Sequence, residues 1–229
     1  MQLSPSSPLS KAPKAVFQIW RNREQIEIEA AIIFKQLADD MNSVWGLNDQ
    51  VAELSRTASS DELRHAVRCQ EILSHDDSID YEPLVANYKI NFGPQDLSLA
   101  DRVLYTAVGV GCITETLSTA LLLEMNKRAA PGIIKNTVHE ILTDEVMHGR
   151  IGWAELTRYS KKRNPAWLSK HIPKLVEEAF SADISPMLKE GDDLSEWGIL
   201  TPEQSSPIME ETLEKVIYPA LSQFGIHSN

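Results

Sequence analysis

Two phrases, Asp61-Glu62-Leu63-Arg64-His65 and Asp144-Glu145-Val146-Met147-His148, share the pattern Asp-Glu-x-x-His, and each follows a lone glutamate in a helical stretch, Glu27 and Glu115. Residues three apart lie on one face of a helix, so each Glu-x-x-His aims one oxygen and one nitrogen at a common point. Four helices carrying Glu, Glu-x-x-His, Glu and Glu-x-x-His supply the four carboxylates and two imidazoles of a two-metal centre inside a bundle. One such motif would mean little, because 20 Glu and 6 His in 229 residues give roughly half a match by chance. Its repetition, with Asp before each Glu and the lone glutamates 35 (27 to 62) and 30 (115 to 145) residues upstream, constrains the chain far more. Four helical segments must converge on one point.

The rest of the sequence is compatible with that demand. Helical periodicity dominates, and Val, Ile and Thr do not gather into alternating strands, so the expected class is all-α. The pattern predicts helix 1 from about Ala15 to Val44, helix 2 from about Asn48 to Leu73, helix 3 from about Leu99 to Ala129 and helix 4 from about Gly132 to Ser160. Pro131 marks a tight connection between helices 3 and 4, which makes them antiparallel neighbours. His75–Ser98, with Pro83, Gly93 and Pro94, is long enough to run the length of the bundle as a crossover, which sets helices 2 and 3 parallel. Past Ser160 come a segment around Pro165–Phe180, an acidic loop through Gly191-Asp192-Asp193 and a final helix from about Pro207 to Phe224. The expected division is a flexible segment 1–14, a four-helix di-metal domain 15–160 and a helical extension 161–229 packed on the bundle.

At about 100° per residue, Ile26, Ala30, Ile33, Phe34, Leu37, Ala38, Met41 and Val44 form the apolar arc of helix 1. Glu27 falls inside that arc and Glu29 at its edge beside Gln36 and Asp40, so Glu27 is the better ligand candidate. Helix 2 aligns Ser55, Ala58, Glu62, Ala66, Cys69 and Leu73; helix 3 aligns Leu104, Val108, Gly111, Cys112, Glu115, Ser118, Thr119 and Leu122; helix 4 aligns Val138, Ile141, Glu145, His148 and Gly152. All four carboxylates face inward, where burial is costly unless a cation shares the site. His139 and Glu140 lie off the helix 4 stripe. Gly111, Cys112, Ser118 and Thr119 are small where a closed core prefers Leu or Ile. They are expected either to open a substrate pocket beside the metals or to let two helices approach closely. Cys69 and Cys112 fall about 15 Å apart along parallel helices, too far for a disulfide.

In these motifs the chain resembles the ferritin-like di-iron carboxylate superfamily, whose oxygen-activating branch carries a twofold Glu-x(about thirty)-Asp-Glu-x-Arg-His pattern. Asp61-Glu62-Leu63-Arg64-His65 fits fully, and the second copy has Met147 where the pattern has arginine. The resemblance covers the four metal-bearing helices. It implies a ferritin-like bundle with Glu27, Glu62, His65, Glu115, Glu145 and His148 as ligands, Glu62 and Glu145 bridging. It further implies that Asp61 accepts a hydrogen bond from the outer nitrogen of His148 and Asp144 from that of His65, fixing each tautomer. Arg64 is then placed to brace one aspartate. Cys69 stands four residues after His65, where the radical-storing subunit of ribonucleotide reductase carries its tyrosine, which disfavours that role.

Hard oxygen ligands with two imidazoles suit iron, with manganese or a mixed iron–manganese pair as alternatives. The expected function is a di-iron oxidase or oxygenase acting on dioxygen and a small-molecule substrate, with an electron donor such as a ferredoxin; helix spacing somewhat resembles the aldehyde-deformylating oxygenases and the motif the arylamine N-oxygenases. The competing expectation is a ferritin-type ferroxidase, against which stand the residues after helix 4. A rubrerythrin would need a Cys-x-x-Cys site that this sequence lacks. The formal charge of −11 and the lack of a basic stripe disfavour nucleic acid. No transmembrane span is expected, and the first residues lack an apolar signal region, so the expected address is cytoplasmic, with a homodimer as one assembly state.

Overall fold

The computed structural model describes residues 12–73, 80–181 and 193–228, and among these every regular element is helical. Residues 1–11 of the expected N-terminal segment and Gly191 and Asp192 of the expected acidic loop lie outside them. Helix α1 spans Lys14–Trp45 and α2 spans Gln50–Ile72. Between them Gly46 and Asn48 adopt positive φ (104° and 68°), and Asp49 caps α2 by accepting from the Ala52 N–H at 2.9 Å. Two serines of α2 then fasten it to α1: Ser55 Oγ donates to the Phe34 carbonyl and Ser59 Oγ to that of Ala31, both at 2.7 Å.

The second pair begins with α4, Leu99–Ala107, capped by Ser98; it continues through a π-helical turn, Val108–Thr114, into α5, Glu115–Arg128. After Pro131 and Gly132, α6 spans Ile133–Ser160. The core shows the helix directions. One end joins Leu37 and Met41 late in α1, Ala52 early in α2, Val103 in α4 and Ile151 in the second half of α6. The opposite end joins Ile19 and Trp20 early in α1, Ile72 at the end of α2, Leu122 and Met125 in α5 and Val138 early in α6. Thus α1 and α2 are antiparallel, α4–α5 and α6 are antiparallel, and α2 runs parallel to α4–α5.

The connection from α2 to α4 therefore returns along the bundle, and its described part contains the short helix α3, Glu82–Asn87. Tyr81 and Val85 pack there on Ile28, Ala31 and Ile32. This contact explains one departure from the helical projection: Ile28, Ala31 and Ile32 are buried on α1, whereas Ile26, Ala30 and Ile33 are only half-buried.

The extension begins with a 3-10 turn, Pro165–His171, and α7, Ile172–Ser181. It resumes in α8, Pro202–Thr212, a second π-helical turn, Leu213–Ile217, and α9, Tyr218–Ser222. The last helical stretch thus starts five residues before the expected Pro207, because Pro202 takes the first-turn position and Gln204 Oε1 caps the Thr201 N–H at 2.9 Å. Leu168, Ile172, Leu175, Met209, Leu213 and Ile217 pack on Leu104, Val108, Ile113 and Leu117. The continuous helix Leu99–Arg128 is therefore covered on both sides, which accounts for its being apolar nearly all round.

By length and composition alone that helix is apolar enough to cross a membrane. Over 18 residues it reaches a mean hydropathy of 1.5, and 61% of that window is buried by neighbouring helices.

Gly111 and Cys112, for which a pocket and a close helix approach are the alternatives, are buried where the π-helical turn meets α6. A Cβ on Gly111 would lie 2.6 Å from the Gly152 nitrogen, and one on Gly152 would lie 2.5 Å from the Ala107 carbonyl oxygen and 2.8 Å from Cys112 Sγ. Both glycines serve close approach of the π-helical turn to α6. Gly152→Ala must push backbone against backbone and is expected to cost about 1–3 kcal/mol. Thermal unfolding should shift down by about 2–4 °C per kcal/mol, and an unchanged melting temperature would refute this packing.

Candidate metal centre

Each carboxylate enters the core from a different helix: Glu27 from α1, Glu62 from α2, Glu115 from the first turn of α5 and Glu145 from α6. All four are at most 4% exposed, and His65 and His148 are buried with them. Two groups form, with one ligand atom per residue and all atoms of a group within 4.8 Å of one another: Glu27, Glu62, His65 and Glu145; and Glu62, Glu115, Glu145 and His148. Glu62 and Glu145 belong to both. Metal–oxygen and metal–nitrogen bonds of about 2.0–2.2 Å put ligand atoms of one ion within roughly 4.4 Å of each other, so each group needs little contraction to hold a cation.

The imidazoles direct Nδ1 inward. His65 Nδ1 lies 3.0 Å from Glu62 Oε2 and 3.5 Å from Glu27 Oε2, and His148 Nδ1 lies 2.9 Å from Glu62 Oε1 and 3.3 Å from Glu145 Oε2. Their outer nitrogens meet the aspartates of the opposite half: His65 Nε2 is 3.0 Å from Asp144 Oδ2, and His148 Nε2 is 3.3 Å from Asp61 Oδ2. An aspartate on Nε2–H leaves the Nδ1 lone pair for a metal. Phe34 backs the His148 ring at 5.5 Å between centroids.

Arg64 spans both halves, donating Nη1 to Asp61 at 2.8 Å and Nη2 to Asp144 at 2.7 Å. It braces two aspartates rather than the single one expected, because Asp61 and Asp144 face each other across the α2–α6 seam. One guanidinium fork thus serves both histidines, and Met147, in the arginine position of the second copy, is an exposed side chain. Glu140 completes this seam, off the ligand stripe of α6, by pairing with Arg64 at 3.3 Å and accepting from Arg68 Nε at 3.0 Å.

Burial alone would raise the Glu27 pKa, but the hydrogen bond from His65 and the charge of Arg23 bring it down to about 2. Glu62 is pushed up to about 7 by burial and by Glu145 beside it, and burial with Glu145 also raises Glu115 strongly. Burial would lower both histidines; Glu27 and Glu62 instead push His65 up to about 11, and Glu145 with Glu62 pushes His148 up to about 10. Asp144, against the upward pull of burial, is lowered by His65 and Arg64.

The donor set fits a pair of divalent cations: two such charges balance four carboxylates while the imidazoles ligate as neutral groups. One buried oxygen supports this directly, since Glu62 Oε1, near His148 Nδ1 but not aligned for a hydrogen bond, has no hydrogen-bond partner among the described atoms.

Several neighbours escaped the sequence pattern. Arg23 donates Nε to Glu27 Oε1 at 3.2 Å, a contact legible only as an i, i+4 pair. Buried Glu24 accepts from the Tyr81 hydroxyl, whose pKa burial and Glu24 raise. Ser118 and Thr119 are half-buried; Ser118 lines a cavity, whereas Thr119 Oγ1 donates to the Glu115 carbonyl at 2.8 Å. Cys69 and Cys112 are free thiols. Comparison with family models, curated proteins and solved structures gives no significant match for this chain.

Metal binding must displace protons from His65 and His148 at neutral pH, so apparent affinity should rise from pH 6 to 8 by about tenfold per pH unit for each proton released. Chelator competition measures this slope. In the same titration Arg64→Ala should weaken both positions by about 10–100-fold, because it frees both aspartates. A pH-independent affinity, or weakening confined to one position, would contradict this geometry.

Proposed function

We propose that the chain is a ferritin-like, non-haem di-iron oxidase or oxygenase, in which Glu62 and Glu145 would be shared between two iron sites, with manganese as the alternative metal. The observation that carries this reading is that these two carboxylates belong to both ligand groups. A bound iron pair would supply electrons in concert to dioxygen and oxidising power toward an organic substrate.

The chain's own residues have definable tasks in this reading. Glu27 with His65, and Glu115 with His148, complete the two halves of the ligand set. Asp61, Asp144 and Arg64 hold the imidazoles in orientation from the α2–α6 side and close that side with ion pairs. Phe34 against the His148 ring and buried Cys69 one turn after His65 help exclude water from the ligands, which strengthens every charge interaction within. The natural partners are dioxygen, a small organic molecule and an electron donor such as a ferredoxin, in a cytoplasmic protein, as a monomer or homodimer.

Anaerobic loading with ferrous iron, then exposure to air, tests the proposal. The parent protein should take up two irons per chain and develop near-ultraviolet absorption on oxidation, at a rate that an organic substrate increases. Glu62→Ala should lose both irons, whereas Glu29→Ala, altering an exposed residue on the same helix as Glu27, should lose neither. Two irons retained in Glu62→Ala would overturn the assignment. Oxidation indifferent to every organic compound would favour iron handling by a ferroxidase.

A further inference from the structure

The two sides of the ligand cluster differ. The histidine side, between α2 and α6, is closed by Arg64, Asp61, Asp144 and Glu140. On the other side, where Glu27 and Glu115 enter, residues of α1 and α5 line a cavity of about 110 Å³. Arg23 and Ile26 flank Glu27 on its wall, and Thr114 and Ser118 flank Glu115. Leu200 and Met209 of the extension line it as well. Neither glutamate lines the cavity; Arg23, which donates to Glu27, is the wall residue that links it to the ligand set, and the extension helps enclose it.

Its wall is mostly apolar, with the hydroxyl residues Thr114, Ser118 and Ser205, and among the described lining residues Arg23 carries the only formal charge. Arg23 gives its Nε–H to Glu27. A guanidinium has four further N–H donors in a planar fork suited to a carboxylate. Were Glu27 to hold a cation, its charge would be shared with that ion, and the Arg23 fork could take up a second carboxylate from the cavity it lines. A multiply charged anion would strip water from the Ile, Leu and Met walls without replacing it, and an amine would meet like charge. At about 110 Å³ the cavity is somewhat smaller than the roughly 150 Å³ site that takes benzene, so it takes part of a hydrocarbon body, whose remainder would extend out of it.

We propose that this cavity binds an apolar monocarboxylic acid, its carboxylate on Arg23 and its hydrocarbon body against Leu200 and Met209. Resting on the oxygenase reading above, this acid is the organic substrate, held with its carboxylate end nearest the metals.

Calorimetric titration of the zinc-loaded protein, which has no redox chemistry, separates binding from turnover. Octanoate represents an alkyl acid and 4-propylbenzoate an aryl acid; octanol and octylamine are the controls. At least one acid should bind about tenfold or more tighter than octanol, and the tighter acid identifies the hydrocarbon body. Arg23→Gln should weaken that acid by about 10–100-fold, the range of a charge-assisted hydrogen bond, while octanol affinity stays within about twofold and so reports an intact fold. Leu200→Trp should weaken acid and octanol together at undiminished metal content. Binding of neither acid, equal affinity for acid and octanol, or equal loss of both in Arg23→Gln overturns the proposal. With iron, an acid that binds without accelerating oxidation of the reduced centre keeps the acid site and removes the oxygenase reading. Acceleration by octanol and octylamine as strongly as by acid keeps that reading and overturns the acid site.

Discussion

Glu27, Glu62, Glu115 and Glu145 place four carboxylates in a core from which water is excluded, and hydrocarbon cannot solvate that charge. A protein holding such a set must supply protons, cationic side chains or metal ions in compensation. Here the imidazoles of His65 and His148 lie between the carboxylates, their pKa values pushed far above neutrality by them. Protons and divalent cations therefore compete for the same positions, and the competition ties metal affinity to pH. The outer arrangement follows from the same constraint. An imidazole that ligates through Nδ1 needs an acceptor on Nε2, which Asp61 and Asp144 provide from the opposite half, and Arg64 balances both aspartates.

The twofold repeat is thus broken at one position with little structural consequence. Because the two aspartates meet across the α2–α6 seam, a second arginine at position 147 would have no further partner to bridge, and the side chain there points to solvent. The asymmetry that matters lies elsewhere. The histidine side of the cluster is laced with ion pairs, while the α1–α5 side meets apolar walls partly built by the extension. The extension also covers the outer face of Leu99–Arg128, so the same residues that complete the core shape the space beside Glu27 and Glu115.

Much of this was legible in the sequence because it depends on short, periodic spacings. Three-residue separation fixes Glu62 with His65 and Glu145 with His148, and the projection of α1 separates buried Glu27 from exposed Glu29. The parallel course of α2 and α4–α5 was legible from the length of the connection between them. What escaped depends on contacts between distant segments. Periodicity at 3.6 residues cannot show a π-helical turn at Val108–Thr114, and a small residue alone cannot say whether another backbone fills the space beside it, as Gly152 does for Gly111. Burial of Ile28 and Ile32 depends on Tyr81 and Val85, which lie far along the sequence, and the cavity wall at Leu200 and Met209 comes from a region without a motif. The bridging role of Arg64 required knowing that Asp144 lies opposite it.

The central claim is that Glu62 and Glu145 are shared by two metal positions in one core. Crystals of the protein loaded with ferrous iron, measured on both sides of the iron absorption edge, test it directly. The expected result is two anomalous peaks about 3.5–4 Å apart, one nearer Glu27 and His65, the other nearer Glu115 and His148, with Glu62 and Glu145 reaching both. A single peak, or density away from these six residues, would contradict it.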